Sequence, residues 1–389
     1  MRRIGVILLV GCLALLPGCQ MPAELEDHAY ALVLGIDAVP AGGVELTIRF
    51  PRIGQSKDAK AEEPSGGDAY LVISAKGADY GQALEQLQWA ASRELNLSQL
   101  KMIVVSEALA GDAAFAQLIS EIAETRHLYT TAAFVVCEGT ARAFVEGQET
   151  TQGTRLSSEI AALLRHYEKH GYIPKATFAD LYYNTRSGCS DAVGIRAFPA
   201  EARDDSAPAS AAVLPEPEDA RESVRSPAAR RFLGAAILHE GRLCMKLDAR
   251  ETLCLNLACG TVDSFSYECD GKSCALSSLR RPRKRAAVED GAITASLDIY
   301  LTSEDAMDAD AVRRLEACLS DDVIGLVHKC QAAGVEPFGF AASGMAGFTT
   351  AAAWEAFGWC DRFREAEAPV RHHSRLPHSR SLLLPGRER

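Results

Sequence analysis

The chain has 389 residues, of which 48% are hydrophobic and 24% charged, enough for two or three domains with cores of their own. Its formal charge of −11 argues against nucleic acid and against general adhesion to anionic lipid. None of its 12 cysteines stands in a CxxC pair, which argues against a zinc ribbon.

At the start, Arg2 and Arg3 precede an apolar run over 4–16, built like a secretory signal and too short to span a bilayer as a helix. The run ends Leu16-Pro17-Gly18-Cys19, which resembles the lipobox of bacterial lipoproteins. Residues 1–18 are therefore expected to be a signal peptide, with Cys19 as the lipidated first residue of the mature chain. Leu9-Val10-Gly11-Cys12 is a rival with better-fitting residue types, but it would leave an apolar segment on the mature protein. A plain cleaved signal with an incidental cysteine is the third reading. Two acyl chains suffice for stable anchoring. The expected place is the outer face of a cytoplasmic membrane.

Next come strands expected at 30–36 and 44–50, where apolar and polar residues alternate around a turn at 37–43. The polar stretch 54–68, with Pro64 and Gly66-Gly67, reads as an exposed loop. A third strand follows at 70–75. Asp79 with Gln82 three residues on resembles a capping box, and Tyr80, Leu84, Leu87 and Ala91 form a helical stripe. A strand at 100–105, a helix with Phe115, Leu118, Ile119 and Ile122 on one face, and a strand at 131–136 complete the order β-β-β-α-β-α-β. That order predicts a mixed sheet covered by helices.

A helix is expected at 157–170, where His166 and His170 stand four apart. The spacing suits a metal, yet no third ligand is evident and the HExxH arrangement is missing, so a solvated polar face is the competing reading. Residues 200–230 are rich in Ala, Pro, Ser and alternating charge and read as a flexible linker. This divides the mature chain into an N-terminal domain at 19–199 and a C-terminal domain at 231–366. The second opens with strands over 232–247 turning at Glu240-Gly241, and "TLCLNLACG" and "SFSYECDGKSCALSSL" are expected to continue the antiparallel pattern. A strand at 292–301 precedes a long helix at 308–333 with Gly334 as its cap, and "FTTAAAWEAFGW" gives a short last helix. The tail 367–389 is basic and punctuated by proline, and is expected to be disordered.

Several cysteines fall in apolar positions of the expected strands and helices, as small buried hydrophobes do. Cys269 and Cys274 flank the hairpin signal Asp270-Gly271, and theirs is the one disulfide the sequence nominates. The run Arg280-Arg281-Pro282-Arg283-Lys284-Arg285 reads either as a solvated hairpin tip or as a contact for anionic headgroups or an acidic partner loop. Trp354 and Phe357 are candidate partner contacts whose alternative is ordinary core packing.

Several segments together carry a family resemblance. "AELEDHAYALVLGID", "ALEQLQWAASRELNLSQLKMIVVSEALA", "IAETRHLYTTAAFVVCEGTARAFV", "GAAILHEGRLCMKLDARETLCLNLACG" and "LVHKCQAAGVEPFGFA" resemble, in that order, the Ger(x)C family, the C subunits of spore germinant receptors. The chain departs from the family in having Gln20-Met21-Pro22 where Trp-Asp commonly follows the lipid cysteine, and Glu336-Pro337 where an aspartate precedes the Phe-Gly-Phe-Gly close. The resemblance implies an α+β fold of mixed sheets covered by helices in two or three consecutive domains. It also implies a lipid-anchored, non-enzymatic subunit acting with integral membrane A and B subunits to trigger germination, with no cofactor. No GxSxG, HExxH, P-loop or GxGxxG after a strand supports an enzyme. A solute-binding lipoprotein of an importer and a lipoprotein scaffold without receptor partners are the alternatives, the former expected to show two doubly wound lobes.

Overall fold

Alternation near the start yields β1 (His28–Tyr30), β2 (Val33–Ala38) and β3 (Val44–Pro51), with β2 and β3 in register from Val33↔Arg49 to Ala38↔Val44. The computed structural model describes residues 27–51, 70–148, 156–188, 190–198, 232–289, 291–303 and 307–366. The signal at 1–18, Cys12, Cys19, Cys189, the loop at 54–68, the linker at 200–230 and the tail at 367–389 lie outside these residues. The chain continues through β4 (Tyr70–Gly77), β5 (Glu94–Asn96), β6 (Met102–Ser106), β7 (Ala133–Cys137) and β8 (Ala192–Ala197). Beyond the linker come β9 (Phe232–His239), β10 (Arg242–Leu247), β11 (Ser264–Cys269), β12 (Lys272–Glu289) and β13 (Ala292–Ser303).

Eight strands form one mixed sheet in the order β10-β9-β8-β7-β6-β2-β3-β4. Its middle is parallel, β2 to β6 to β7 to β8, and both flanks are antiparallel. Every residue of β6 and β7 is buried, as continuous apolar strands covered on both faces require. On one face Leu34, Ile36, Ile103, Phe134 and Leu238 pack under the helices Tyr80–Ala90, Phe115–Ala123 and Phe178–Ser187. On the other, Val33, Val104, Val135 and Ile195 pack under the helices Ala141–Glu146 and Leu156–Lys169. This is the expected α+β architecture, without a pair of doubly wound lobes among the described residues.

β9 and β10 join the sheet beside β8, so the sheet runs through the boundary expected at 200–230. β9 also forms the seam to the C-terminal core. Ala236 and Leu238 point into the first cluster, whereas Ala235 and Ile237 belong to a third one. That third cluster lies between the sheet β11-β12-β13, the helix Ala249–Cys259 and the 25-residue helix Ala309–Ala333, which ends at Gly334 with φ of 73°.

"TLCLNLACG" is not a strand but most of the helix Ala249–Cys259, started by a reciprocal cap of Asp248 and Glu251 and stopped by left-handed Gly260. Thr252 through Ala258 are all buried, so the helix has no polar face there, and periodicity cannot separate a helix buried all round from a buried strand. The Cys269–Cys274 bridge does not form: Cys269 is bonded to Cys318 of the long helix, and Cys274 is free. The Asp270-Gly271 turn does make the hairpin, but its register sets Cys269 opposite Lys272 and Cys274 opposite Tyr267. The two cysteines are thus diagonal neighbours, roughly 7–8 Å apart. Cys318 lies at a Cα–Cα distance of 6.3 Å, within disulfide range. The final segment also divides, with the helices Phe340–Met345, Ala351–Phe357 and Trp359–Glu365 where the sequence suggests a loop and one helix.

Candidate functional site, a basic strand and its brace

The basic run sits within the 18-residue strand β12 and not at a hairpin tip. A strand sends successive side chains to opposite faces. Accordingly Arg281, Arg283 and Arg285 are exposed, whereas Pro282, Lys284, Ala286 and Val288 between and beyond them are half-buried. Irregularities in the pairing with β13 fall between Ser278 and Arg280 and between Arg280 and Arg283, where Pro282 cannot donate to a ladder. Arg280 lies over the Tyr300 ring, 3.5 Å from its centroid. Asp298 stands directly across from Arg283, and Thr294 and Ser296 continue that face of β13. Among the described residues, Arg281, Arg283 and Arg285 form no ion pair.

The inner face of the same strand is held by the "GVEPFGFA" segment. Lys284 Nζ donates to the Phe338 carbonyl at 2.6 Å, and Ser343 Oγ donates to the Lys284 carbonyl at 3.3 Å. Gly260 abuts Pro282, where an added Cβ would lie 2.5 Å from the proline Cδ. The loop itself is organised by Glu336, whose side chain is wholly buried. Its Oε1 accepts the N–H groups of Phe338 and Phe340 at 3.0 and 3.1 Å, and its Oε2 accepts that of Ala341 at 3.3 Å. Burial raises the carboxyl pKa to about 8 against the opposing pull of the Phe340, Ala341 and Gly339 N–H groups, and nearby Asp191 adds to the rise. The backbone of Glu336 pairs with Asp191 at the edge of β8, the Asp191 N–H donating to the Glu336 carbonyl at 2.9 Å. Asp191 Oδ1 is 2.8 Å from His239 Nδ1 on β9, and this bond raises the imidazole pKa. The basic strand is therefore tied through one buried loop to the large sheet.

Other sequence candidates are placed elsewhere. Trp354 is 6% exposed and packs between Phe348 and Trp359, with ring centroids at 5.3 and 5.4 Å. Phe357 is half-buried and meets Phe348 at 5.1 Å, with Arg362 over its ring. His166 and His170 do face one another at 4.5 Å, but His170 Nδ1 meets the Ser264 carbonyl at 2.9 Å. The described residues bring one trio of metal-ligand atoms together, Cys269, Asp270 and Cys318, and two of these are the disulfide sulfurs.

Sequence reasoning missed the carboxylates that organise the loops. Asp37 is buried and accepts the N–H groups of Ala141 and Arg142, each at 2.8 Å, at the start of the helix Ala141–Glu146. Burial raises its pKa against these bonds. Asp37 and Glu336 each bind backbone N–H groups that no side-chain pattern displays.

Comparison with known proteins adds two findings. A family described as the spore germination protein N-terminal domain matches residues 22–193. The solved crystal structure of the GerBC protein resembles this chain with a TM-score of 0.50 at 13% identity, covering 88% of this chain and 96% of that one. No curated protein matches the chain.

Proposed function

The chain belongs to the Ger(x)C family of spore germination proteins, and from that membership we propose that it is the C subunit of a nutrient germinant receptor, held on the membrane by lipid at Cys19. The observation that carries this reading is the match of residues 22–193 to the germination domain on a fold shared with GerBC. In this reading the subunit acts with integral membrane A and B subunits on the outer face of the cytoplasmic, or inner spore, membrane, and performs no chemistry of its own. No helix among the described residues is long and apolar enough to cross a membrane. A covalent lipid fills that need, and it raises the effective concentration of the chain beside its partners without any new contact. The basic strand, with Arg280, Arg281, Arg283 and Arg285 outward and Lys284 in its brace, is the proposed contact surface. Trp354 and Phe357 support the body that carries it.

The test is Cys19→Ala in the native host, with membrane retention followed by fractionation and germination by loss of spore refractility. Release of the chain and failure of nutrient germination, with the partner subunits still made, is the expected result. Retention on the membrane would move the tether to Cys12 or an uncleaved segment. Release with germination untouched would overturn the receptor reading.

A further inference from the structure

We infer that the outward face of β12 lies on an anionic lipid surface, with Arg281, Arg283 and Arg285 against phosphate headgroups and Leu279 entering the headgroup layer. This rests on the membrane-anchored reading above and adds to it which face of the body meets the bilayer. Arg283 and Arg285 are two residues apart in regular register, so their side chains leave one strand face about 7 Å apart, and Arg281, in the irregular stretch just before them, is exposed as well. Each guanidinium offers a planar fork of donors that suits phosphate oxygens, and among the described residues none of the three forms an ion pair.

Leu279 decides between a lipid surface and an acidic protein segment. It falls where the pairing skips from Ser278 to Arg280, and it is 60% exposed directly beside the arginines. A large aliphatic side chain pushed out among guanidinium groups matches the boundary between headgroups and acyl chains, where basic and apolar residues are used together. On the facing strand β13, Thr294 and Ser296 are short hydroxyls that leave the face flat and add no aromatic anchor of the kind that dominates protein interfaces, while Asp298, across from Arg283, is a partly buried carboxylate that offsets part of the charge of this face. The overall charge of −11 does not oppose this, because exposed charges more than about 8–10 Å away are largely screened at physiological salt. The composition argues against general adhesion; the strand supplies a single adhesive face.

The experiment uses the full mature chain with Cys19→Ala, so that no lipid tethers it, and sediments it with vesicles of phosphatidylcholine alone or mixed with phosphatidylglycerol. Binding to the phosphatidylglycerol vesicles is expected, weakening with salt. Each arginine near such a surface contributes about fivefold, so R281A/R283A/R285A should weaken the partition by about two orders of magnitude. L279S should weaken it at high salt as well as low. R281K/R283K/R285K, which keeps the charge, should still bind, and this separates loss of charge from loss of fold. Equal binding to both vesicle types, or an unchanged partition of the triple alanine variant, would overturn the inference. Should the chain ignore vesicles while the triple alanine variant loses co-purification with the integral subunits, the face meets an acidic protein segment and the lipid assignment is wrong. The outcome is independent of the Cys19→Ala germination test, which can sink the receptor reading and leave vesicle binding untouched.

Discussion

Replacing Glu336 tests how the closing loop is held. Glu336→Ala removes the acceptor of three backbone N–H groups, those of Phe338, Phe340 and Ala341. An unsatisfied buried donor costs ~1–3 kcal/mol, so the alanine variant should lose ~3–6 kcal/mol after partial relaxation. Glu336→Gln keeps one carbonyl oxygen for Phe338 and Phe340 and turns an amide N–H₂ toward Ala341, a loss of ~1–2 kcal/mol. The glutamine also abolishes a titration. Because the folded pKa of about 8 lies above the ordinary 4.5, the folded chain retains a proton that the unfolded chain releases between those values. This contribution to stability is complete below the lower value and is lost as pH rises through the higher one, at up to ~1.4 kcal/mol per pH unit. Urea unfolding of both variants and the natural chain at about pH 6 and about pH 8 measures both effects. The natural chain should lose more stability than E336Q over that interval. If E336Q shows the same fall, or E336A costs less than ~1 kcal/mol, the carboxylate does not organise the loop as described.

Further outcomes follow from other contacts. Peptide mapping of the oxidised chain should recover Cys269 joined to Cys318 with Cys274 free; recovery of Cys269 joined to Cys274 would contradict the hairpin register. Cys318→Ser opens a closure with a sequence separation of 49 and should lower stability by about 4 kcal/mol on chain entropy, read as a lower urea midpoint with a steeper slope, because the unfolded chain is freed to expand. Asn256→Leu leaves the Gly171 and Ile173 carbonyls without their buried donor and should cost ~2–3 kcal/mol by the same measurement, whereas a neutral result would mean that water or relaxation replaces the amide. Gly344→Ala should also destabilise, since its Cβ would lie 2.3 Å from the ring of buried Trp359; unchanged thermal unfolding would show that the ring can move aside.

Much of the fold was legible wherever one face of an element meets water. The β2–β3 hairpin alternates, and the helix Phe115–Ala123 carries its four buried residues at helical spacing. Legibility failed where solvent is absent. The helix Ala249–Cys259 is buried nearly all round, and between 138 and 198 the helices Ala141–Glu146 and Phe178–Ser187 are short. The basic run was visible from composition alone, but its setting was not, because a strand of 18 residues runs well beyond the usual length. The brace was hidden for a different reason. Asp191, His239 and Glu336 come from separate parts of the chain, and Glu336 acts on peptide N–H groups, which carry no residue label.

The shared sheet also orders events during synthesis. β8 pairs with β9 through contacts such as Ala192↔Leu238, across a stretch of chain that must first be made. Until residues 232–247 have emerged, β8 is an edge strand with open peptide groups beside an apolar surface, a template for pairing with any other chain. A ribosome that stalls in 200–230, or a protease that cuts there before the sheet closes, would release a germination domain ending on that raw edge. Pairing between strands so distant in sequence is also slow. Holding the nascent chain away from its neighbours until β9 docks is therefore a demand that this topology places on the cell that makes it.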